Sequence, residues 1–345
     1  MRCTEGGCDL KTVRIIGTGS YLPSRVVTND EIAPRMGSSS EWILSHTGIE
    51  SRHVAGTEES ASSLAVMASR AALEKAGVSP EEVGMIVLAT TTSDYGSYPS
   101  TACIVQGALG CANAWAFDVS AACSGFVYAL ELAKCHLLCH PERKALVIGT
   151  EVLSRQLDWS DRTCAMLFGD GAGAAVLDVT DIPDSDGFSA SVLGSDGSGF
   201  KAIVRDAGCR RPLCADPVRE TVAMAEVPYL KMDGHEVFAF AVRKLDEVVR
   251  SLCSQAEITP ESLDKVFAHQ ANLRIIEAVA RRMKLPMDKF YLNLRHVGNT
   301  SSASVPLCLD KALRNGELRD GMRIAMAGFG SGLTWAGMLA RWPFL

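Results

Sequence analysis

Strand and helix patterns alternate along the chain, and this alternation limits the fold more than any other feature. In the first half, the segment 83–92 is apolar at nearly every position, and a helical pattern covers 121–138. Strand patterns follow at 145–149 and 164–168. Strands that are apolar on both faces are typical of sheets that helices cover on both sides. The sequence therefore predicts an α/β protein with buried, mixed sheets.

The second half of the chain repeats this order of elements. Strand and helix patterns alternate again over 265–340, with a short strand at 290–292. Each half closes on a glycine turn between two strands, FGDGAG in the first and GFGSG in the second. This self-similarity suggests two duplicated half-domains related by a pseudo-twofold axis, with a site where two equivalent helix N-termini converge. Turn residues concentrate at 180–190, which places the halves at 1–182 and 183–345.

Composition excludes several classes of protein. The chain has 345 residues, of which 47% are hydrophobic and only 13 are Pro, so it is neither disordered nor collagen-like. The formal net charge of −6 leaves no basic field for nucleic acid. No apolar run approaches the roughly 20 residues of a membrane span, and the N-terminus has no apolar signal segment. We expect a cytoplasmic globular protein that binds neither nucleic acid nor membrane.

The 12 cysteines do not predict a disulfide framework or a metal centre. No Cys-x-x-Cys pair occurs, and no histidines cluster beside them, so we expect no metal and no redox cofactor. In a cytoplasmic chain most cysteines are small buried hydrophobic residues. Cys209 and Cys214 lie in the segment 207–228, which we interpret as a surface insertion without chemistry of its own.

Cys123 differs from the other cysteines in its position. It lies in the segment DVSAACSGF, at the junction between a predicted strand and a predicted helix. Unpaired N–H groups at a helix N-terminus favour negative charge, so a lowered thiol pKa is expected there. Small neighbours leave room for a substrate. A buried structural cysteine remains an equal alternative on this segment alone.

Two residues of the second half complement Cys123. His269 ends an apolar strand in VFAHQAN, and Asn299 lies at the start of the helix in HVGNTSSAS, which is equivalent to the helix that follows Cys123. Taken singly, His269 fits a buried core histidine and Asn299 an ordinary N-cap. Together with Cys123 they supply the three groups that a thioester condensation needs.

These residues lie in motifs that resemble the β-ketoacyl-acyl-carrier-protein synthase III family. The similarity runs from about residue 13 to 342 and includes IIGTGSYLP, EWILSHTGI, CSGF, FGDGAGAAV, HQANLRII, GNTSSASVP and FGSGLTW, in that order. The resemblance implies a thiolase-like fold, with two duplicated half-domains in α-β-α-β-α layers. It also implies that Cys123, His269 and Asn299 form the catalytic set, and that the protein is a homodimer.

The resemblance further implies a reaction. Cys123 attacks a short acyl-CoA, with acetyl-CoA expected, and keeps the acyl group as a thioester. Backbone N–H groups of Cys123 and Ser331 stabilise the oxyanion, although the family usually has Gly where Ser331 stands. Malonyl-acyl carrier protein then loses CO₂, while His269 and Asn299 donate hydrogen bonds to the enolate. No metal or cofactor takes part.

Binding residues follow from the same resemblance. Trp42 corresponds to the residue that stacks on the CoA adenine, and Arg162 to its partner on the other face. His46 stands where the family often has Arg, so its contact to the CoA phosphates is expected to be weaker or pH-dependent. Without the resemblance, a packed Trp and a surface Arg explain these residues equally well. Four further residues are expected to line the pantetheine tunnel: Gly234, Phe238, Ala271 and Asn272.

Two surface features are assigned to partners. Arg274, Arg281 and Arg282 lie near one face of a helix, and this basic face suits the acidic helix of acyl carrier protein. Ordinary solvated helix charges are the alternative. Tyr98 resembles the position, often Phe, that reaches across the dimer interface to close the acyl pocket and would favour short primers.

Other functions remain open alternatives. A related thiolase-fold acyltransferase of secondary metabolism would use the same acyl-Cys with a different acceptor. A thiolase is disfavoured because its second catalytic cysteine is missing near the C-terminal glycine turn, Cys308 lying within a helix. A catalytically silent subunit is disfavoured by the presence of Cys123. The sequence does not determine the chain length or the branching of the primer, or whether the product enters fatty-acid or secondary metabolism.

Overall fold

The computed structural model describes residues 11–96, 98–180, 187–206 and 229–342. The strands of this part are β1 (Thr12–Tyr21), β2 (Arg25–Thr28), β3 (Ser51–Val54), β4 (Val83–Ala89), β5 (Trp115–Val119), β6 (Lys144–Glu151), β7 (Gly171–Thr180), β8 (Gly187–Ser195), β9 (Ile203–Val204), β10 (Lys231–Met232), β11 (Lys265–Ala268), β12 (Arg323–Gly330) and β13 (Thr334–Arg341). The α-helices are α1 (Asn29–Ile32), α2 (Ser40–Thr47), α3 (Ala61–Ala76), α4 (Thr101–Leu109), α5 (Gly125–Cys139), α6 (Gly234–Gln255), α7 (Leu273–Met283), α8 (Leu294–Val297) and α9 (Ser304–Arg314).

Two mixed sheets form the frame of the molecule. The first has the strand order β1-β7-β6-β4-β5, and the second has the order β8-β13-β12-β11. In the first sheet β4 runs parallel to β5 and β6, and β7 runs antiparallel to β1 and β6. In the second, β11 and β12 are parallel and the other pairs are antiparallel. The predicted α/β class with mixed sheets is confirmed.

Helices and sheets are stacked in five layers. Helices α5 and α9 lie between the two sheets, and their apolar residues share one core cluster with both sheets. Helices α3 and α4 cover the outer face of the first sheet. Helices α6 and α7 cover the outer face of the second. This is the predicted α-β-α-β-α arrangement, and the matching strand orders support the predicted duplication. The division at 182/183 stays a prediction, because residues 181–186 lie outside the described part.

The central helix α5 explains an unusual run of apolar residues. The segment Ala122–Cys139 is long and apolar enough to cross a membrane by length and composition alone. In this fold half of the segment is buried, and the helix packs against strands of both sheets. A helix that is covered on opposite sides needs apolar residues around most of its circumference. The composition of α5 therefore follows from its place in the core.

Some predicted elements were wrong in detail. Residues 164–168 were predicted as a strand, but they form turns, and only Phe168 makes a single bridge, to Asn299. The predicted strand at 290–292 is reduced to one bridge between Phe290 and Val266. The glycines of the two turn motifs lie partly within β7 and β12. The insertion 207–228 lies outside the described residues.

Candidate active site

Cys123 lies where the chain passes from the first sheet into the central helix α5. It is the middle residue of a 3-10 turn, Ala122–Ser124, which we call the nucleophile turn. Ala122 opens this turn in the left-handed region at φ 46°, a conformation that costs a non-glycine residue about 1–2 kcal/mol. Cys123 itself is partly exposed. The strained turn therefore holds the thiol at the end of the helix rather than within it.

The end of β12 presses against the nucleophile turn. A Cβ atom on Gly330 would lie 2.6 Å from the backbone nitrogen of Cys123, and one on Gly328 would lie 3.0 Å from its carbonyl oxygen. Such close approach of two backbones is possible only for glycine. The GFGSG motif therefore brings a strand of the second half into contact with the cysteine of the first.

A second 3-10 turn, Ser301–Ala303, leads into the other central helix α9 and is called the serine turn here. Its first residue, Ser301, contacts all three predicted catalytic residues. The Ser301 side chain lies beside the Cys123 thiol and its backbone lies beside His269, close enough to influence the pKa of each group. Its N–H donates to Oδ1 of Asn299 over 2.9 Å. The structure thus brings Cys123, His269 and Asn299 together around Ser301.

His269 is a buried, neutral imidazole. It follows the last residue of β11, and its backbone N–H donates to the carbonyl of Ala327 over 2.7 Å. Its ring meets the edge of the Phe329 ring with 5.1 Å between centres. Burial lowers the pKa of His269 to about 3, and the nearby Ser301 backbone opposes this only in part. The ring therefore acts as a neutral hydrogen-bonding group at physiological pH.

The expected lowering of the Cys123 pKa is wrong for this structure. Burial raises the pKa of the thiol to about 12, and a negative charge on the nearby Glu151 would raise it further. The Ser301 side chain and the N–H of Cys123 itself lower the pKa of the thiol, but burial outweighs them. Cys123 is therefore a neutral thiol at rest, because the loss of water costs more than the helix N-terminus supplies.

Hydrogen bonds to the segment 164–169 hold the backbone of Asn299. Residues 164–168 of this segment were predicted as a strand. The N–H of Asn299 donates to the carbonyl of Leu167 over 2.8 Å, and its own carbonyl accepts from Gly169 over 3.0 Å. Because Oδ1 accepts from Ser301, the amide orientation is set, and no described residue accepts from Nδ2. That amide group is therefore available to donate to a substrate oxygen.

Ser331 stands where the family usually has glycine, and its backbone is not strained. Its φ is not in the left-handed region, unlike those of Ala122 and Ser301. Its hydroxyl is turned aside and donates to the carbonyl of Ile203 over 2.7 Å. Since only the backbone N–H is predicted to serve the oxyanion, the serine side chain does not interfere with that role.

The residues predicted to bind CoA adenine lie together on the surface. The His46 ring stacks on Trp42 with 4.0 Å between centres, and the Arg162 guanidinium lies 5.6 Å from the Trp42 ring centre. His46 Nδ1 is also 2.8 Å from the Trp42 carbonyl oxygen, so this side chain is held at the indole. A base that stacked on this face of the indole would occupy the space in which the guanidinium now lies. A base can therefore enter between Trp42 and Arg162 only if the arginine moves outwards.

The predicted tunnel residues differ in their surroundings. Gly234 is exposed and has open space around it at the start of α6, and Phe238 is exposed one turn later. Ala271 packs against the core below α6 and α7. Asn272 caps α7 by accepting from Arg274, and its Nδ2 donates to the carbonyl of His46 over 3.1 Å. Asn272 therefore joins α7 to the helix that carries Trp42.

The predicted basic face is partly neutralised. Arg282 and Arg250 both pair with Asp246 over 2.7 Å. Arg274 donates to the carbonyl of Ser45. Arg281 is exposed, and it has no ion-pair partner among the described residues. Arg250 was not found from the sequence because it belongs to a different helix.

Tyr98 is the most exposed large side chain of this region, at 87%. The chain just after it is tied to β5, since the N–H groups of Thr101 and Ala102 donate to Asp118 over 2.8 and 2.7 Å. Strand β5 is an edge strand, and its Trp115 is 49% exposed. Tyr98 therefore stands beside the open edge of the first sheet.

Two functional contacts were missed by sequence reasoning. Ser301 and Ser302 lie within the quoted motif GNTSSASVP, where hydroxyl residues also fit the ordinary start of a helix. Glu151 ends a buried strand, and its only signal was a carboxylate in an otherwise apolar run. The contacts of these residues join positions about 150 residues apart, which a local pattern does not contain.

Comparisons with known proteins agree with this geometry. Residues 117–197 match the family model described as 3-oxoacyl-[acyl-carrier-protein (ACP)] synthase III, and residues 253–342 match the model of its C-terminal part. A beta-ketoacyl-[acyl-carrier-protein] synthase III from Caldanaerobacter subterraneus is 44% identical over 335 residues, covering 97% of this chain and 99% of the relative. The chain belongs to this family. The predicted resemblance is confirmed, and the chain is a condensing acyltransferase of fatty-acid synthesis.

Solved structures of the synthase III family extend the match to three dimensions. The 3-oxoacyl-[acyl-carrier-protein] synthase III from Aquifex aeolicus superposes with a TM-score of 0.86 at 40% identity, covering 96% of this chain and 100% of that one. The priming beta-ketosynthase from the R1128 polyketide biosynthetic pathway gives 0.87 at 38% identity, with 96% of each chain covered. The thiolase-like fold is thereby confirmed.

Proposed function

We propose that this synthase III joins a short acyl group from acyl-CoA to malonyl-acyl carrier protein, through an acyl thioester on Cys123. The observation that carries this proposal is the convergence of Cys123, His269 and Asn299 on Ser301. One group supplies a nucleophile, and the other two supply hydrogen-bond donors for an enolate. This combination serves both halves of a decarboxylating condensation.

In the first half-reaction, the Cys123 sulfur attacks the thioester carbonyl of acyl-CoA. A new sulfur–carbon bond forms, the bond to the CoA sulfur breaks, and the thiol proton leaves with CoA. The oxyanion forms beside the backbone N–H groups of Cys123 and Ser331. The approach of Gly330 to the Cys123 nitrogen supports this pairing, because it places the residue after β12 against the nucleophile turn.

In the second half-reaction, malonyl-acyl carrier protein loses CO₂ and its electron pair becomes an enolate. The Asn299 amide and the neutral His269 imidazole donate hydrogen bonds to the enolate oxygen. The carbanion attacks the acyl carbon, the Cys123 sulfur leaves, and it takes up one proton to restore the thiol. The product is a 3-oxoacyl-acyl carrier protein. Neither step needs a metal or a redox cofactor, because thioester cleavage and CO₂ release supply the chemistry.

The test separates the two half-reactions. Incubation with acetyl-CoA is expected to add one acetyl group by intact mass, and Cys123→Ala is expected to abolish the adduct. His269→Ala and Asn299→Ala are expected to keep acetylation but to lose CO₂ release from malonyl-acyl carrier protein by roughly 10²-fold or more. An acetyl adduct that persists in Cys123→Ala would refute the assignment.

The binding residues and partners are part of the same proposal. Acyl-CoA enters past Trp42 and Arg162, along Gly234 and Phe238, and the stacking of these aromatic and basic groups supports a nucleotide there. Acyl carrier protein docks on the exposed basic side of α7. We assign the enzyme to the cytoplasm, where its acyl-CoA and carrier-protein substrates are expected.

A homodimer formed along β5 is also proposed. An unpaired edge strand with exposed aromatic residues is a strong site for pairing with a second copy. Trp115 and Tyr98 both lie at this edge, so a partner there would bring Tyr98 close to the neighbouring subunit. Size-exclusion chromatography with light scattering is expected to give twice the chain mass, and Trp115→Glu is expected to shift the protein to monomer.

A role in secondary metabolism is a second candidate, favoured by the similarity to the R1128 priming ketosynthase. The two roles share every step at Cys123 and differ in the primer and in the fate of the product. A panel of acyl-CoA primers compared by kcat/KM separates them, since a preference for acetyl-CoA favours fatty-acid initiation.

A further inference from the structure

The nucleophile turn and the serine turn are equivalent parts of the two halves. Each is a three-residue 3-10 turn that leads directly into a central helix. Each opens on a left-handed residue, Ala122 at φ 46° and Ser301 at φ 47°. The second residue of the serine turn, Ser302, therefore occupies the position that Cys123 occupies in the first half.

Glycines on the neighbouring strands follow the same equivalence. Strands β6 and β12 both have eight residues, and each carries a glycine two places before its end. A Cβ on Gly328 would lie 3.0 Å from the carbonyl oxygen of Cys123, and one on Gly149 would lie 2.4 Å from that of Ser302. The two turns are thus packed against their strands in the same way.

The last residues of these two strands break the equivalence. Strand β12 ends at Gly330, whose backbone lies directly against the nucleophile turn with no side chain between them. Strand β6 ends at Glu151, whose carboxyl group lies 2.9 Å from the hydroxyl of Ser302. The hydroxyl of Ser302, the counterpart of the Cys123 thiol, is therefore held by the last residue of its facing strand, a contact that Gly330 cannot make with Cys123.

Glu151 is completely buried and is held by hydroxyl and amide groups. Oε2 accepts from the hydroxyls of Thr91 and Thr92 over 2.9 and 2.8 Å, and the N–H of Thr91 donates to the carboxyl group. None of the ion pairs formed within the described ranges includes this residue. A buried carboxyl group without a cation favours its uncharged form, and burial raises the pKa of Glu151 accordingly.

The contacts of the Ser302 hydroxyl are a second, independent reason to assign the uncharged form to Glu151. The single proton of this hydroxyl faces two acceptors, Oε1 of Glu151 at 2.9 Å and the carbonyl oxygen of Ala89 at 3.0 Å. If Glu151 were an anion, one of these close contacts would lack a proton. If Glu151 is a carboxylic acid, it donates to Ser302, and Ser302 donates to Ala89, so that every contact is a hydrogen bond.

We propose that Glu151 is an uncharged positioning residue that anchors the serine turn through Ser302. The turn in turn places Ser301 against the three predicted catalytic residues. The inference rests on the proposed chemistry at Cys123 and adds a residue that does not touch the substrate. An uncharged Glu151 also favours the reaction, because an anion at this position would oppose formation of the Cys123 thiolate.

The test follows the reactivity of Cys123 in four variants. Alkylation by iodoacetamide is measured from pH 7 to 10 by the mass of the Cys123 peptide, together with the rate of acetylation by acetyl-CoA. The titratable groups that bear on this thiol are Glu151 and, through Ser301, His269. Glu151→Ala and Ser302→Ala are expected to slow acetylation roughly tenfold or more, since displaced catalytic groups lose rate steeply. Both are expected to need a higher pH for a given alkylation rate, because Ser301, which lowers the pKa of the thiol, is no longer held beside it.

Glu151→Gln is the rescue variant. It is uncharged and keeps a donor for Ser302, so acetylation is expected within about threefold of wild type and the alkylation profile unchanged. Thr18→Val is the matched control, because it removes another buried hydroxyl–carboxyl contact, with Asp310, in the second half of α9. It is expected to lower Tm and to leave Cys123 reactivity unchanged.

Two results would overturn the proposal. If Glu151→Gln moves the alkylation profile to lower pH by about one unit, a negative charge has been removed and the residue was an anion. If Ser302→Ala behaves like Thr18→Val, the contact is only structural. Failure of the proposed function is distinct, since a wild-type enzyme that forms no 3-oxoacyl product still gives a readable alkylation profile.

Discussion

The contact between Gly330 and the nucleophile turn gives the sharpest prediction. A Cβ atom at this position would lie 2.6 Å from the Cys123 nitrogen, 3.0 Å from Ala122 Cβ and 3.3 Å from Cys123 Cβ. Ordinary contacts begin at 3.4 Å, so Gly330→Ala must push the turn away from β12 by about 0.8 Å. A displacement of about 1 Å in a catalytic group costs roughly 10²-fold in rate. We therefore expect acetylation of Cys123 to slow about 10²-fold.

The same distances predict a graded series. Gly328→Ala places its Cβ 3.0 Å from the Cys123 carbonyl oxygen, so the required shift is about half as large and the loss of rate should be smaller. Gly107→Ala is the control, since nothing lies within 4 Å of its Cβ and it is within helix α4. It is expected to stabilise the fold by about 0.5–1 kcal/mol and to acetylate normally.

Single-turnover acetylation by intact mass gives the rate, and thermal unfolding gives the folded fraction. Overpacking at Gly330 is expected to cost about 1–3 kcal/mol of stability. The rate is therefore compared at a temperature where every variant is folded. If Gly330→Ala acetylates at the wild-type rate while its Tm falls, β12 does not position the nucleophile, and the reasoning fails.

Three further outcomes follow from single contacts. His269 has a pKa of about 3 in the folded protein and an ordinary pKa of 6.5 in the unfolded chain, so only the unfolded chain binds its proton as pH falls below 6.5. The free energy of unfolding should then fall by about 1.4 kcal/mol for each unit by which the pH decreases. Between pH 7 and pH 5, urea unfolding should show that His269→Gln loses about 2 kcal/mol less of this free energy than the wild type. Trp42→Ala, which removes the stack with His46 and leaves Arg162 without its ring, should raise KM for acetyl-CoA roughly tenfold with kcat unchanged. An unchanged KM would place CoA elsewhere. Arg281→Glu should raise KM for malonyl-acyl carrier protein at low salt by several-fold, about 3–10-fold, and less at 0.5 M salt. A salt-independent change would argue against electrostatic docking.

Local signals predicted the secondary structure where local physics decides it. Helix α3 was predicted at residues 61–76 and forms there, because Ser60 caps its start and Gly77 ends it at φ 65°. The apolar segment 164–168 was predicted as a strand for its composition alone. It packs instead into a small cluster beneath Ile49, and only Phe168 pairs with another backbone. Composition does not tell which buried surface a segment joins.

The electrostatics of the site could not be predicted from sequence. The helix N-terminus beside Cys123 is visible in the chain, and it was expected to lower the thiol pKa. Burial reverses the direction, and burial depends on residues from β12 and the serine turn that lie about 200 residues away. The roles of Ser301 and Glu151 were missed for the same reason, since each depends on a partner in the other half.

The two half-reactions explain why equivalent turns carry different groups. The sulfur of Cys123 must reach the thioester carbonyl of the substrate, so the turn that carries Cys123 must leave that sulfur accessible. Gly330 places no side chain beside this turn. The equivalent turn in the second half must instead stay fixed, because it orients Asn299 and His269 toward a charge that exists only during decarboxylation. Glu151, the last residue of the strand that faces this turn, fixes the turn through its hydrogen bond with Ser302. Duplication therefore gives the protein two similar turns, each at the start of a central helix. The last residue of the facing strand, Gly330 or Glu151, determines whether the turn carries the nucleophile or positions other catalytic groups.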